Sequence, residues 1–146
     1  MSRASLVELT NLCVICDGSR VLVQDKVGCG VVFPGGHVEP GESMLASVVR
    51  EMREETGLTV EHPVLCGLKD WMREDGTRFI VALYRADSFS GTLQSSGEGR
   101  VFWIEREDFA RLDTIWGMHE VLRICDGADY SEMFYSEEKE GWVLLG

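Results

Sequence analysis

Apolar and polar positions fall mostly in short alternating or apolar blocks, and few are long enough for a helix. Residues 7–16 read as a strand with mixed alternation. Asp17-Gly18 is a turn signal, and 20–24 returns as a second strand. Val31-Val32-Phe33 predicts a short apolar strand closed by Pro34-Gly35-Gly36. Two β-rich runs, 64–71 and 77–84, flank Arg73-Glu74-Asp75-Gly76 and predict a hairpin. Another strand is predicted over 100–104, and a last hairpin over 133–136 and 142–145. Helical spacing occurs over 43–56, in one turn at 107–111, and over 115–125. Strands that outnumber helices but interleave with them predict an α/β sandwich around a mixed sheet. There is no repeat and no linker, so the 146 residues read as one domain, 1–146.

The helix over 43–56 carries the most information. Ser43 is placed as its N-cap and Gly57 as the glycine that ends it. Leu45, Val48, Val49 and Met52 form an apolar stripe expected to pack on a sheet. At about 100° per residue, Glu54 falls about −60° and Glu55 about +40° from Glu51, so the three carboxylates share one face. Two carboxylates ~4 Å apart repel by about 4 kcal/mol at an effective dielectric near 20. Facing water they splay apart, which is the plain reading of an acidic helix face. Converging on a cleft, they recruit a proton or a cation. Oxygen ligands without His or Cys nearby favour Mg²⁺, with Mn²⁺ as a substitute, over zinc. Three features favour the cleft: the side-chain-free loop at Gly35-Gly36, Glu42 at the helix entrance, and Arg50 beside the acids.

Charge narrows the partners. Lys+Arg number 14 against 25 Asp+Glu, a net charge of −11. Such a surface repels a polynucleotide backbone or an anionic membrane, so neither is expected as a partner. A small polyphosphate stays open if a cation stands between it and the protein. No stretch approaches the ~20 apolar residues of a membrane span, and the start is a poor signal peptide. Five cysteines at irregular spacing argue against a disulfide framework and for a cytoplasmic chain. Cys13 and Cys16 form a C-x-x-C without a second metal-binding pair. On a strand they point to opposite faces, as buried packing residues do.

The run from Gly36 through Glu42 to Arg50-Glu51-Met52-Arg53-Glu54-Glu55-Thr56-Gly57-Leu58 resembles the Nudix box at every defined position, over 36–58. The lead-in Phe33-Pro34-Gly35-Gly36 and the strand around Trp103 are also similar to that family. The resemblance implies a Nudix α/β/α sandwich with a mixed, curved sheet, and hydrolysis of a nucleoside diphosphate linked to another moiety. It implies Glu51, Glu54 and Glu55 as metal ligands, with the Gly36 carbonyl as a further ligand. Arg50 orients the acids, and Glu42 anchors the loop–helix–loop. For the general base it leaves two candidates: Glu54, and Glu98 in a loop before a late strand.

Softer cues, including 35–42, 66–71 and the aromatic tail, resemble the MutT-like, MutX-like branch, which acts on 8-oxo-dGTP. The implied substrate is a nucleoside triphosphate, cut by water at the β-phosphorus into a monophosphate and pyrophosphate. A base pocket needs aromatic surface and a few directed polar groups. The candidates are Asn11, Phe33, Trp71, and Trp116 with His119; His37 is a candidate for a phosphate. Ordinary core packing is the competing reading for each aromatic. Oxidised-purine hydrolases that carry two acids just after such a tryptophan differ from this chain, which has Met118 and His119 there. Other substrates within the family are another NTP or dNTP, an RNA 5′ end, or a nucleotide sugar. A Nudix-like binding module without catalysis is the alternative outside enzymes. No pattern fixes the number of subunits.

Overall fold

The computed structural model describes residues 2–127 and 129–146. In chain order its strands are β1 (Val7–Asp17), β2 (Arg20–Lys26), β3 (Gly30–Val32), β4 (Gly35–His37), β5 (Leu58–Glu61), β6 (Val64–Met72), β7 (Arg78–Ala86), β8 (Ser88–Gly91), β9 (Gly99–Glu105), β10 (Glu132–Ser136) and β11 (Gly141–Leu145). The helices are α1 (Met44–Thr56), α2 (Arg106–Ala110) and α3 (Met118–Cys125).

β1 is the spine. Leu12, Val14 and Cys16 enter one core, while Cys13 and Ile15 enter the other. A strand covered on both faces has no polar side, which is why its alternation reads as mixed. One edge of β1 runs parallel to β7, from Val7↔Arg78 to Ile15↔Ala86. From there the sheet continues β7-β6-β10-β11, antiparallel at β6–β7 and β10–β11 and parallel at β6–β10. The other edge is shared. Thr10, Asn11 and Leu12 pair with β4, and Cys16 and Asp17 pair with β2, which carries β3 and β9. β1 therefore forks, and the sheet curls around the opening. β5 and β8 form a separate two-stranded sheet among the described residues.

α1 covers one face with Val48 and Met52. Phe109 of α2 and Met118, Val121 and Ile124 of α3 cover the other. The result is the α/β/α sandwich with a mixed, strongly curled sheet that was expected. No helix among the described residues is long and apolar enough to cross a membrane. All five cysteines are free, and Cys13 and Cys16 are buried on opposite faces of β1.

Several local expectations need correction. Leu45 is 48% exposed and lies outside the packed stripe, which narrows to Val48 and Met52 with Val49 partly buried. The third helix begins at Met118, not 115, because Trp116 and Gly117 both adopt left-handed backbone, at φ 61° and 76°. β4, β5 and β8 went unpredicted. They span only three or four residues, and β4 lies in a Gly-Gly segment that reads locally as a loop.

Candidate active site

α1 is fixed at both ends by its sequence. The Ser43 hydroxyl accepts from Ala46 N at 3.0 Å. Gly57 closes the helix at φ 76°, where a Cβ would strike the Thr92 carbonyl. With the helix seated by Val48 and Met52, its acids face the fork in the sheet. Glu55 is buried at 3% exposure and accepts from Gln24 Nε2 of β2 at 3.0 Å. Glu51 lies against β4, where a Cβ on Gly36 would fall on its carboxylate. Glycine at 36 thus makes room for an acid beside its own backbone.

Arg50 organises the cluster. Its Nε and Nη2 donate to Glu42 at 2.7 and 3.0 Å, and its Nη1 donates to Glu51 at 3.0 Å and Glu54 at 3.1 Å. Nη2 also reaches the His37 carbonyl at 3.0 Å. Glu42 in turn accepts from Glu39 N at 3.0 Å, tying the loop to the helix. The Arg50 guanidinium, helped by that amide, holds the Glu42 carboxyl down at about 2. Glu51 moves the other way: burial raises its affinity for a proton, and Arg50 opposes it.

Glu98 enters from the loop before β9. Burial first, and then hydrogen bonding to Glu98, pushes the Glu55 carboxyl up to about 8. That hydrogen bond, with Lys26 and His37 nearby, holds Glu98 below the usual carboxylate range. Without a cation the pair shares one proton, and Glu55 is the side that keeps it.

These groups open onto a cavity of about 870 Å³. Its lining includes Gly36, Glu51, Glu55, Glu98 and Asn11. Phe33, Trp71, Trp116 and His37 line it as well. Asn11 donates from Nδ2 to Ser47 Oγ at 2.8 Å, while its buried Oδ1 has no partner. Phe33 packs on Phe109 at 5.2 Å, and Trp71 stacks on Phe79 at 4.3 Å and 16°. His37 Nε2 meets Glu8 at 2.9 Å.

Three sequence candidates fall outside this cavity. His119 is turned to the Leu112 carbonyl at 2.9 Å and to the Phe109 ring, so it buttresses the approach to α3. Arg50 stands behind the acids. The Glu54 side chain is 59% exposed and joins the cluster through Arg50. The simple convergence of three glutamates is therefore corrected: Glu51 and Glu55 converge, and Glu54 stands on the flank. Among the described residues no three Asp, Glu, His or Cys side chains are drawn tightly enough to make a ready metal cage. The donor set still fits a hard divalent ion. It is oxygen-rich, buried and self-repelling, and it lies against a glycine backbone.

The sequence reading missed Gln24, Lys26, Lys69 and Trp142, all on the cavity wall. A signal for Lys69 existed: two residues before Trp71 on a strand, it must share that tryptophan's face.

The NUDIX domain model matches residues 8–124. The Nudix hydrolase YvcI of Bacillus subtilis is 35% identical over 123 residues, covering 80% of this chain and 77% of the relative. The CTP pyrophosphohydrolase of Escherichia coli K12 is 32% identical over 109 residues, covering 70% and 78%. The crystal structure of the mutator MutT protein of Bacillus halodurans superposes with a TM-score of 0.78 at 26% identity, over 94% of this chain and 97% of that one.

Proposed function

Because the chain belongs to the NUDIX domain family and is a Nudix hydrolase, we propose that it is a Mg²⁺-dependent nucleoside triphosphate pyrophosphohydrolase. Its substrate in this reading is an oxidised purine nucleotide, 8-oxo-dGTP, released as 8-oxo-dGMP and pyrophosphate to cleanse the nucleotide pool for DNA repair. One observation carries it: a buried, mutually repelling acid cluster shares a cavity of about 870 Å³ with aromatic side chains.

Glu51, Glu54, Glu55 and the Gly36 carbonyl would hold the divalent ion. When bound, such an ion neutralises phosphoryl oxygens and makes hydroxide available near neutral pH. The chain's own residues do the rest. Arg50 aims Glu51 and Glu54 by direct donation. Glu42 holds Arg50 in place. Glu98, held ionised on the loop before β9, is the base in this scheme and accepts the proton of the attacking water. Glu54 is the alternative base, and its exposure makes it the weaker candidate. Trp71 offers a surface on which a base stacks, with the buried Phe33 in the same cavity wall. The orphan Oδ1 of Asn11 offers an acceptor to an incoming donor. Five free thiols suit the cytoplasm.

The relative that acts on CTP gives a second reading specific support, hydrolysis of a pyrimidine triphosphate by the same route. An RNA 5′ end is disfavoured by the net charge of −11. The test is product analysis over a panel of 8-oxo-dGTP, dGTP, CTP, ATP and a nucleotide sugar, with Mg²⁺ or Mn²⁺. Pyrophosphate rather than orthophosphate is expected, with 8-oxo-dGTP turned over fastest. Preference for CTP selects the second reading, and binding without turnover removes the enzyme assignment.

A further inference from the structure

Lys69 is 3% exposed, yet it lines the cavity. Its ammonium forms no ion pair among the described residues, and Glu120 is the carboxylate whose charge still reaches it. The ammonium lies 4.7 Å from the centre of the Trp142 ring and 5.4 Å from that of Trp71, and it donates to the Trp116 carbonyl. A buried lysine without a counter-ion is costly, and ring faces recover only part of the lost hydration. One neutral carbonyl uses one of its three N–H donors. The remaining donors lie on the Trp71, Trp116 and Trp142 side of the cavity wall. Burial lowers its pKa to about 8, which still leaves most of it protonated at neutral pH.

The geometry points to Lys69 as the group that selects the base: its ammonium donates to the 6-oxo group of a purine lying against the Trp71 side of the cavity, so that 6-oxopurines are accepted and adenine is refused. This rests on the nucleotide reading above and goes beyond it by naming the atom read and the residue that reads it. The chemistry is one-sided. Lysine donates and never accepts. The guanine edge offers O6 and N7 as neighbouring acceptors, whereas adenine places an amino donor at position 6. In a site dried by tryptophan rings, donor facing donor leaves both unpaired, which is far more expensive than in water. An 8-oxo substituent turns N7 into a donor but leaves O6 as an acceptor, so oxidised guanine is also admitted.

The test uses binding without turnover. Tryptophan fluorescence of the intact chain is titrated with inosine monophosphate and with AMP, which differ at position 6. The wild type is expected to bind inosine monophosphate roughly tenfold or more tightly than AMP. Lys69→Met removes the donors and brings the two within about twofold. Lys69→Gln, whose amide both donates and accepts, improves AMP binding and levels or reverses the order. A wild-type ratio near one overturns the proposal, even if a variant fails to fold. So does a Lys69→Gln variant that weakens both nucleotides equally, since that would make Lys69 only a strut for Trp116. Discrimination without any hydrolysis would instead remove the pyrophosphohydrolase reading and leave this one standing.

Discussion

Gly36 and Glu54 give the most direct tests of individual side chains. In Gly36→Ala the added methyl would occupy the space of the Glu51 carboxylate. Strain is not the issue, because Gly36 is not among the residues with positive φ. The acid must move, and affinity for Mn²⁺ should fall about 10–100-fold, as when a ligand loses its support. Titration calorimetry measures this, and unchanged affinity would separate Glu51 from the metal site. Glu54→Gln should behave differently. Its side chain is 59% exposed and its pair with Arg50 is a surface one, so stability should change by less than about 1 kcal/mol. Turnover should nevertheless drop on the order of 100-fold or more. Near-normal kcat with an unchanged melting curve would remove Glu54 from the chemistry.

α1 acts as a lever arm: its buried stripe sets where its acids arrive. Val48 is fully buried under it, in the core shared with Cys13, Ile15 and Leu22. Val48→Asp places an unpaired charge there and should cost more than about 4 kcal/mol, abolishing the cooperative melt seen by circular dichroism. A folded Val48→Asp protein would mean the helix docks by another face. Ser43→Ala is the mild counterpart. Losing the bond to Ala46 N should cost about 1 kcal/mol with little change in activity, since the acids lie two or more turns away. Much of this element was legible in advance. Its cap, its terminating glycine and its acid face follow from spacing alone. The exposure of Leu45 was not legible, because the stripe's width depends on how far the sheet extends beneath it.

At the scale of the whole molecule, Glu55 links stability to pH and, under the proposed function, to the metal. The carboxyl titrates at 4.5 when free and at about 8 in the fold. Below about 4.5 both states bind the proton, and the favourable contribution is fully present. Between about 4.5 and about 8 the native state holds more protons than the unfolded chain, so stability falls as pH rises. Glu51, also raised, adds in the same direction. Glu42 gives stabilisation that is lost only as pH falls toward about 2, and Lys69 titrates from about 8 upward in the opposite sense, so both leave the window clear. Metal-free protein should therefore melt several degrees lower near pH 8 than near pH 5.5, and saturating Mg²⁺ or Mn²⁺ should reverse the loss by replacing the proton. A flat melting temperature across that range in a chelator would show that the acids do not crowd one another.

Spacing determined the acid helix, its caps, its buried Val48 and Met52, and the company of Gly36, Glu42 and Arg50. These depend on neighbours within about two dozen residues, and a regular helix converts such intervals into directions in space. The sheet's plan, with β1 forked between β4 and β2 and parallel to β7, was decided only by the tertiary structure. So were the placing of Glu98 against Glu55, the turning of His119 toward Leu112, and the enclosure of Lys69 between two tryptophans from strands far apart in sequence. Glu98 with Glu55 and Lys69 with Trp142 are contacts between distant segments that no local period encodes, while His119 reaches Leu112 across only seven residues, through an irregular turn at Trp116 and Gly117 that spacing does not reveal. Burial, which sets the charge on Glu55 and makes Lys69 a reader of bases, exists only once those segments have closed together.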